Sequence, residues 1–459
     1  MAAFRWLRRL LLRHATVYVA ACILVLLGLH GYHNVAQHHS PSEHWLLPLR
    51  NNMMQAQQGP DKTRLGTRTV VLVLVHNRPR YLQRCLAALV RYHPGDSALP
   101  VMVSEDTTTT AEGIRAQLAA VVREAGEKLR RKRAAANRLP DALGWEGIRH
   151  ISFHDPHWPS GDNSYARLGR HYKWALNCAF APRHRAQRVI VLEEDIEIAS
   201  DFFFLLGAVA PLLDEPSENL LAVSTFNDNG VSYLVDERQD SGVLLRSDFF
   251  PGLGWMLTRT TWLELASNWP ATKWDDWIRH PATRKGRHTL RPEISRSFHF
   301  GIENGSSTEL YAEGNQLGDF HRAIVLHSEP PVVDWGTLDL TLLRASAFHL
   351  RYTAAVRNAT SLTARVRAFP YFTPAHLDNF ELQPGTSYCV AYPANSGSSP
   401  GSVVSSEVWA PVARQFGLLP DGYDIGSAGV PRSSYEGIVQ FRSASGARVF
   451  VAPSNLCIQ

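Results

Sequence analysis

The sequence predicts an α/β fold with a largely parallel sheet. Short apolar runs, each long enough for one buried strand, alternate with longer segments whose apolar residues recur at helical spacing. Strands that alternate with helices in this way form crossover connections and parallel pairs. The runs predicted as strands are residues 70–75, 100–104, 148–153, 188–192 and 220–225.

The acidic stretch after residues 188–192 is the most informative feature of the chain. Glu193, Glu194 and Asp195 follow a buried-strand pattern, and a predicted helix begins at Phe202, capped by Ser200-Asp201. In open α/β sheets, ligands bind beyond the carboxyl ends of the strands. A divalent cation that holds a diphosphate would neutralise acids placed there. The alternative is an acidic turn that only favours the start of a helix.

Two other predicted strands end in residues suited to a nucleotide. Arg78 follows residues 70–75, and Asp106 follows residues 100–104. A guanidinium binds phosphate or a carbonyl oxygen, and a carboxylate binds ribose hydroxyls or a base N–H. Because parallel strands end at one edge of a sheet, these residues and the acidic stretch can converge on one cleft. Taken singly, each also fits an ordinary surface residue.

A further pair of acids, Asp275 and Asp276, stands between Trp274 and Trp277. An apolar wall raises the pKa of a carboxylate and makes it a better base. The alternative is that one of the two caps a helix by accepting backbone N–H bonds. Both interpretations can hold, one for each aspartate.

The composition indicates a folded protein with no nucleic-acid partner. Of the 459 residues, 45% are hydrophobic and 19% are charged, which allows one large core and a second small one. The formal net charge of +5 is too small to indicate nucleic-acid binding. The five cysteines have no metal-ligand spacing, and Cys389–Cys457 is the disulfide that we predict.

The N-terminus has the pattern of a membrane anchor. A hydrophobic segment follows four arginines, Arg5, Arg8, Arg9 and Arg13. We predict a cytoplasmic tail at 1–14, a signal anchor at 15–32 and a stem at 33–66. The basic flank places the tail in the cytoplasm and the rest of the chain in the lumen. A cleaved signal peptide and a buried helix are the alternatives.

Together, these segments resemble the N-acetylglucosaminyltransferase I family, glycosyltransferase family 13, from about Val70 to the end of the chain. The matching blocks keep their order along the sequence: 170–176, 193–203, 227–230, 249–255, 274–277, 291–301 and 435–439. The resemblance implies a GT-A catalytic domain, which we place at 67–340. Gly/Ser/Pro-rich connections and short β-like runs predict a small C-terminal α+β domain at 345–459.

The resemblance also implies a role for each matched residue. Asp195 is expected to ligate Mn²⁺ directly and Asp275 to act as the catalytic base, which leaves Asp276 a structural role. Six residues are expected to contact the donor UDP-N-acetylglucosamine (UDP-GlcNAc): Arg78, Asp106, His171, Glu193, Glu194 and Ser306. Ser306 would lie on a loop that closes over the donor. A sequon begins at Asn304, and we predict that it stays unglycosylated because a glycan would obstruct that closure.

The activity implied is an inverting transfer of N-acetylglucosamine, in β1,2 linkage, to the α1,3-arm mannose of N-glycans by a type II Golgi membrane enzyme. Family members usually have Glu-Asp-Asp where this chain has Glu193-Glu194-Asp195. The related protein O-mannose β1,2-N-acetylglucosaminyltransferase has Glu-Glu-Asp, so an O-mannose acceptor is one alternative. A non-catalytic lumenal sugar-binding protein is the other.

Overall fold

Eight strands form the central sheet of the computed structural model. The structure describes residues 65, 68–95, 99–136, 143–156, 158, 164–301, 316–327, 333–368, 374–393, 404–420 and 428–457. All of these fall within one contact unit, Trp45–Gln459. The strands of the sheet are β1 (Thr69–Val75), β2 (Val101–Asp106), β3 (Ile148–Phe153), β4 (Arg188–Glu193), β6 (Leu220–Ser224), β7 (Leu244–Ser247), β8 (Trp255–Thr258) and β9 (His288–Pro292).

The sheet is mixed but rich in parallel pairs. Its order is β3-β2-β1-β4-β8-β6-β9-β7. The first four strands in that order pair in parallel, as do β6 and β9, whereas β8 and β7 run antiparallel to their neighbours. The predicted α/β class is confirmed, and the five predicted strands appear as β1, β2, β3, β4 and β6 with ends shifted by two residues at most.

The other strands of the described residues form smaller sheets. β5 (Ile196–Ile198) and β10 (Ser297–His299) form a two-stranded antiparallel sheet beside the acidic stretch. Near the C-terminus, four strands pair in the order β11 (Thr360–Ser361), β12 (Ser387–Tyr392), β16 (Arg448–Pro453) and β15 (Val439–Arg442). β13 (Val404–Ser405) pairs with β14 (Ala428–Gly429).

The described helices connect these strands. They are α1 (Pro79–Tyr92), α2 (Glu112–Ala135), α3 (Ser164–Ala179), α4 (Phe202–Asp214), α5 (Glu237–Asp240), α6 (Arg259–Ser267), α7 (Trp274–Arg279), α8 (Pro281–Arg284), α9 (Gln316–Arg322), α10 (Ala345–Arg357), α11 (Thr363–Arg367) and α12 (Ser406–Gln415). Short 3₁₀ helices lie at Pro182–His184, Pro216–Glu218, Trp335–Thr337, Leu340–Leu343 and Pro374–Phe380. Pro79 occupies the first turn of α1, where its missing N–H costs no hydrogen bond.

Strand β1 shows why the central strands are apolar throughout. Val71 and Val73 belong to the apolar cluster that also includes Leu82 of α1, on one face of the sheet. Val70 and Leu72 belong to a second cluster with the residues of α3, on the other face. Side chains alternate between the two faces, so a strand covered on both sides has no polar position. This core fixes the ends of β1 and β4, which carry the candidate site.

The acidic residue before α4 has a different role from the predicted one. The helix begins at Phe202 as expected, but the Asp201 side chain makes no capping hydrogen bond. Its carboxylate instead accepts hydrogen bonds from Arg296 Nε at 3.2 Å and from Trp335 Nε1 at 2.8 Å. The buried Arg296 guanidinium outcompetes the helix N–H groups because a charged donor makes the stronger bond.

The C-terminal segment packs into the same core as the central sheet. One apolar cluster includes Leu220 of β6 and Phe450 of β16. A disulfide joins Cys389 to Cys457, which confirms the predicted pair. The domain boundaries at 67–340 and 345–459 stay a prediction. The predicted anchor lies outside the described residues, and among those that are described we find no helix with the length and apolarity to cross a bilayer.

Candidate active site

The end of β1 holds the acidic turn in place. β1 and β4 pair in parallel with Leu74 opposite Glu193, so both strands deliver their carboxyl ends to one edge of the sheet. The Glu194 carboxylate accepts hydrogen bonds from the His76 backbone N–H at 2.7 Å and from Arg78 Nε at 2.5 Å. Arg78 also donates from Nη2 to Asp195 Oδ2 at 2.8 Å. The structure thus brings Arg78 and the acidic stretch together, as the sequence predicted.

Glu193, the first acid of the triplet, faces a different neighbour. Its carboxylate accepts a hydrogen bond from the Tyr172 hydroxyl at 2.9 Å. The Tyr172 ring packs against Trp274, with ring centroids 4.2 Å apart. Trp274 directly precedes Asp275 in α7. The acidic turn and the predicted base are therefore joined through two side chains in contact.

The backbone of Phe300 and Gly301 passes close to Asp195. The Phe300 N–H donates to the Asp195 carbonyl oxygen at 3.0 Å, and His299 Nε2 lies 3.4 Å from Asp195 Oδ2. A Cβ at Gly301 would stand 2.3 Å from the same oxygen, so only glycine leaves the carboxylate uncovered.

These donors fit a hard divalent cation. Carboxylate oxygens suit Mg²⁺, Ca²⁺ and Mn²⁺, and small hard cations are commonly held by one or two carboxylates together with phosphates and water. Within the described parts of the chain, no three His, Cys, Asp or Glu side chains converge as a metal site. Among the described residues, Asp195 is the one that could hold such an ion.

The predicted nucleotide residues lie next to this turn. Asp106, at the end of β2, contacts Arg167 Nε at 3.3 Å and accepts a hydrogen bond from the Thr108 N–H at 2.9 Å. Arg167 also donates to Thr109, which in turn bonds the His76 ring at 3.0 Å. This chain of contacts brings the end of β2 to the end of β1.

His171 is more enclosed than a surface ligand residue would be. Its ring is 2% exposed, bonds the Ser104 hydroxyl at 2.8 Å and stacks on Phe153 at 5.4 Å. Burial, reinforced by the nearby charge of Arg167, lowers the pKa of His171 to about 3. The ring is therefore neutral at physiological pH.

The second pair of acids shares one arginine. Asp275 and Asp276 lie in the first turn of α7, and Arg279 Nη1 reaches Asp275 Oδ2 at 2.9 Å and Asp276 Oδ1 at 3.1 Å. The cap residue of α7 is Lys273, so the predicted capping role is wrong for both aspartates. Their nearest cation sits one turn along the same helix, within reach of both side chains.

The electrostatics differ between the acids. Burial, with the charge of Asp195 added, raises the pKa of Glu193, while burial, partly offset by Arg78, raises the pKa of Glu194 to about 7. Burial opposes ionisation of Asp195 too, but the charges of His299 and Arg78 win and hold its pKa below the ordinary value. Burial and the charge of Asp275 raise the pKa of Asp276. The turn therefore keeps Asp195 ionised while its neighbours readily take up protons.

Ser306 and Asn304 lie outside the described residues. Sequence reasoning missed Tyr172 and Arg279, although both lie in or beside the matching blocks. An aromatic hydroxyl next to His171, and an arginine four residues after Asp275, were the available signals. His299 was also missed, and no pattern within its own segment indicated it.

Comparison with known proteins identifies the family. The sequence model of the GNT-I family matches residues 49–370. This chain belongs to the GNT-I family. The resemblance is thereby confirmed, and so is the enzyme class: the chain is a member of a β1,2-N-acetylglucosaminyltransferase family. A relative from Arabidopsis thaliana, named alpha-1,3-mannosyl-glycoprotein 2-beta-N-acetylglucosaminyltransferase, is 32% identical over 393 residues, which cover 85% of this chain and 74% of the relative.

Similar solved structures are more distant from this GNT-I family member. A Pyrobaculum calidifontis mannosyltransferase in complex with GDP-Man and Mn²⁺ is 15% identical, with a TM-score of 0.33 over 78% of this chain and 92% of that one. S. aureus TarS is 14% identical, with a TM-score of 0.32 over 53% of this chain and 38% of that one. TM-scores this low support no inference about this chain.

Proposed function

We propose that the chain is an inverting, metal-dependent GT-A glycosyltransferase that moves N-acetylglucosamine from UDP-GlcNAc, in β1,2 linkage, to the α1,3-arm mannose of N-glycans. Family membership and the name of the Arabidopsis relative support the reaction and the acceptor. The observation that carries the proposal is the contact between the Tyr172 and Trp274 rings, since it joins the acidic turn to the segment that carries Asp275.

The arrangement suits a single-displacement transfer. Asp275 takes the proton of the attacking mannose hydroxyl as that oxygen forms its bond to the anomeric carbon. The bond from that carbon to the UDP oxygen breaks, and UDP leaves with the electron pair. One base is enough, because the leaving diphosphate needs no proton when its charge is neutralised. A divalent cation held at Asp195 would supply that neutralisation when bound.

The remaining residues hold and orient the donor. Glu193 and Glu194 lie beside Asp195, where they can accept hydrogen bonds from the sugar, and Arg78 balances the charge of the acidic turn. Asp106, at the end of β2, binds the ribose hydroxyls of the donor. The edge of the His171 ring lies on the same side of the nucleotide. We place Ser306 on the loop that covers the donor, by family match.

Localisation is part of the same proposal. The hydrophobic segment at 15–32, preceded by a basic flank, supports a type II Golgi membrane protein with a lumenal catalytic domain. Protease treatment of intact Golgi vesicles should leave residues 67–459 protected and remove an epitope tag fused to the N-terminus. Loss of the catalytic domain under the same treatment contradicts this orientation.

One assay tests the function. The full-length chain in detergent is given UDP-GlcNAc and Mn²⁺, with either a mannose-terminated N-glycan or an O-mannosyl peptide as acceptor. We expect transfer to the N-glycan. Transfer to the peptide alone would favour the O-mannose enzyme, which the Glu193-Glu194-Asp195 order also fits. Donor binding without transfer or hydrolysis would indicate a sugar-binding protein.

A further inference from the structure

The pairing of β10 with β5 places a histidine beside Asp195. In this antiparallel pair His299 stands opposite Ile196, the residue that follows Asp195. The Phe300 N–H then donates to the Asp195 carbonyl oxygen at 3.0 Å. Backbone contacts on both sides of His299 therefore fix its position relative to Asp195, whatever the side chains do.

The two side chains are spaced like neighbouring ligands of one ion. His299 Nε2 lies 3.4 Å from Asp195 Oδ2, the oxygen that also accepts a hydrogen bond from Arg78 Nη2 at 2.8 Å. Two ligands at right angles on a cation, each with a bond of about 2.1 Å, are about 3.0 Å apart. A shift of a few tenths of an ångström would let both side chains bind the same ion.

The surroundings of His299 restrain it. The next residue, Phe300, packs edge-on to Tyr81 at 5.4 Å and lies under Arg84, whose guanidinium carbon is 4.0 Å from the ring centroid. The His299 ring itself meets the ring of the buried His321, with centroids 6.0 Å apart. Because His299 is already restrained, its side chain loses less conformational entropy when it binds an ion.

We propose that His299 is a second protein ligand of the divalent cation held by Asp195. The inference rests on the proposed function, to which it adds a residue and a preference for certain metals. Imidazole nitrogen is a good ligand for transition metals, whereas Mg²⁺ and Ca²⁺ prefer oxygen alone. A site with one carboxylate and one imidazole therefore favours Mn²⁺ or Co²⁺ over Mg²⁺.

Electron spin-echo spectroscopy of bound Mn²⁺ tests the inference directly. The full-length chain is loaded with Mn²⁺ and UDP, once with natural histidine and once with ¹⁵N-labelled histidine. We expect the modulation of a directly bonded ¹⁴N, and its replacement by a ¹⁵N pattern on labelling. Labelling separates histidine from the uracil nitrogens and needs no variant to fold.

Two substitutions then identify the residue. His299→Ala should remove the nitrogen signal and weaken Mn²⁺ binding at least tenfold in the presence of UDP, while Mg²⁺ binding changes less. His321→Phe is the matched control, since it alters the neighbouring ring and should keep the signal. Tight Mn²⁺ binding without a histidine nitrogen would overturn the inference and leave the proposed function standing. A signal that survives in His299→Ala overturns it too, and no Mn²⁺ binding at all overturns both.

Discussion

Arg279 Nη1 lies 2.9 Å from Oδ2 of Asp275, one helical turn away on α7. The predicted base is thus held by its own helix, and its orientation depends on a short segment of six residues. Arg279 is itself fixed by donating from Nε to the Phe250 carbonyl oxygen at 2.9 Å. The base therefore keeps its position without any contact from a substrate.

Asp275→Asn should lower kcat by roughly 10²–10⁴-fold, because an amide cannot take the acceptor proton. Donor affinity should stay within about twofold, since the acidic turn is unchanged. Steady-state kinetics and calorimetric titration of UDP-GlcNAc measure the two quantities. Asp276→Asn is the matched control and should keep activity within about tenfold. If the two variants lose equal activity, Asp275 is not the sole base.

Gly301→Ala should weaken Mn²⁺-dependent binding of UDP roughly tenfold or more. The new Cβ would stand 2.3 Å from Asp195 Oδ2, so the carboxylate must move away from its present position. Titration with UDP, with and without Mn²⁺, measures the loss. The control is Gly113→Ala in α2, where no atom lies within 4 Å of the added methyl. Gly113 is the second residue of α2, so that change should stabilise the helix by less than about 1 kcal/mol and leave binding intact. Unchanged affinity in Gly301→Ala would contradict the metal role of Asp195.

Glu193→Gln should change the pH dependence of stability. Burial raises the pKa of Glu193 in the folded state, so the folded protein holds a proton that the unfolded chain releases. Stability from this group is therefore lost as pH rises from the ordinary carboxyl pKa through the raised one. The amide does not titrate, so the variant should match the wild type at about pH 4 and exceed it by roughly 1–3 kcal/mol at about pH 8.

Urea unfolding in EDTA at both pH values measures this difference between the two proteins. Subtraction removes the contributions of buried histidines such as His171, whose lowered pKa acts in the opposite direction. A difference that does not depend on pH would show that Glu193 titrates normally.

Tyr172→Phe should move donor binding to higher pH. Loss of the hydroxyl removes the 2.9 Å hydrogen bond that stabilises the ionised form of Glu193, so the pKa of that carboxyl rises further. Protonated Glu193 accepts fewer hydrogen bonds from the sugar. Calorimetric titrations across about pH 5.5–8 measure the affinity for UDP-GlcNAc. As the pH is lowered, the affinity of the variant should fall at a higher pH than that of the wild type. Tyr81→Phe, on α1, should leave the profile unchanged.

Removal of the disulfide should affect stability and spare catalysis. Cys389 and Cys457 are 68 residues apart, and closing a loop of that size constrains the unfolded chain by roughly 4 kcal/mol. The Cys389→Ala, Cys457→Ala double variant should therefore unfold at lower urea, with kcat per folded molecule unchanged. Cys178→Ser, at a half-buried free thiol, should shift stability by less than about 0.5 kcal/mol.

The sequence predicted the elements whose signal is local. Apolar runs such as that of β1 identify buried strands, because every side chain of a doubly covered strand meets the core. Arg78 and the acidic triplet were predicted to meet because parallel strands share a carboxyl edge, and that rule needs no tertiary detail.

The missed features depend on pairs that are distant in sequence. Asp201 looks like a helix cap locally, yet its partner Trp335 lies 134 residues away. His299 reaches Asp195 only because a three-residue strand pairs with another equally short one, and such strands leave no periodic pattern. The capping role assigned to Asp275 or Asp276 failed because the backbone leaves the helical region at Lys273, with φ of 48°.

The buried contact between Arg296 and Asp201 has a consequence for genetic screens. Arg296 leads into β10 and Asp201 leads into α4, so their ion pair sets how the strand carrying His299 lies over the turn carrying Asp195. A random-mutagenesis screen for inactive clones should therefore recover substitutions at Arg296, although its side chain is fully buried. These variants should be temperature-sensitive, unlike variants of the active-site residues, because the buried Asp201 carboxylate has lost its charged partner.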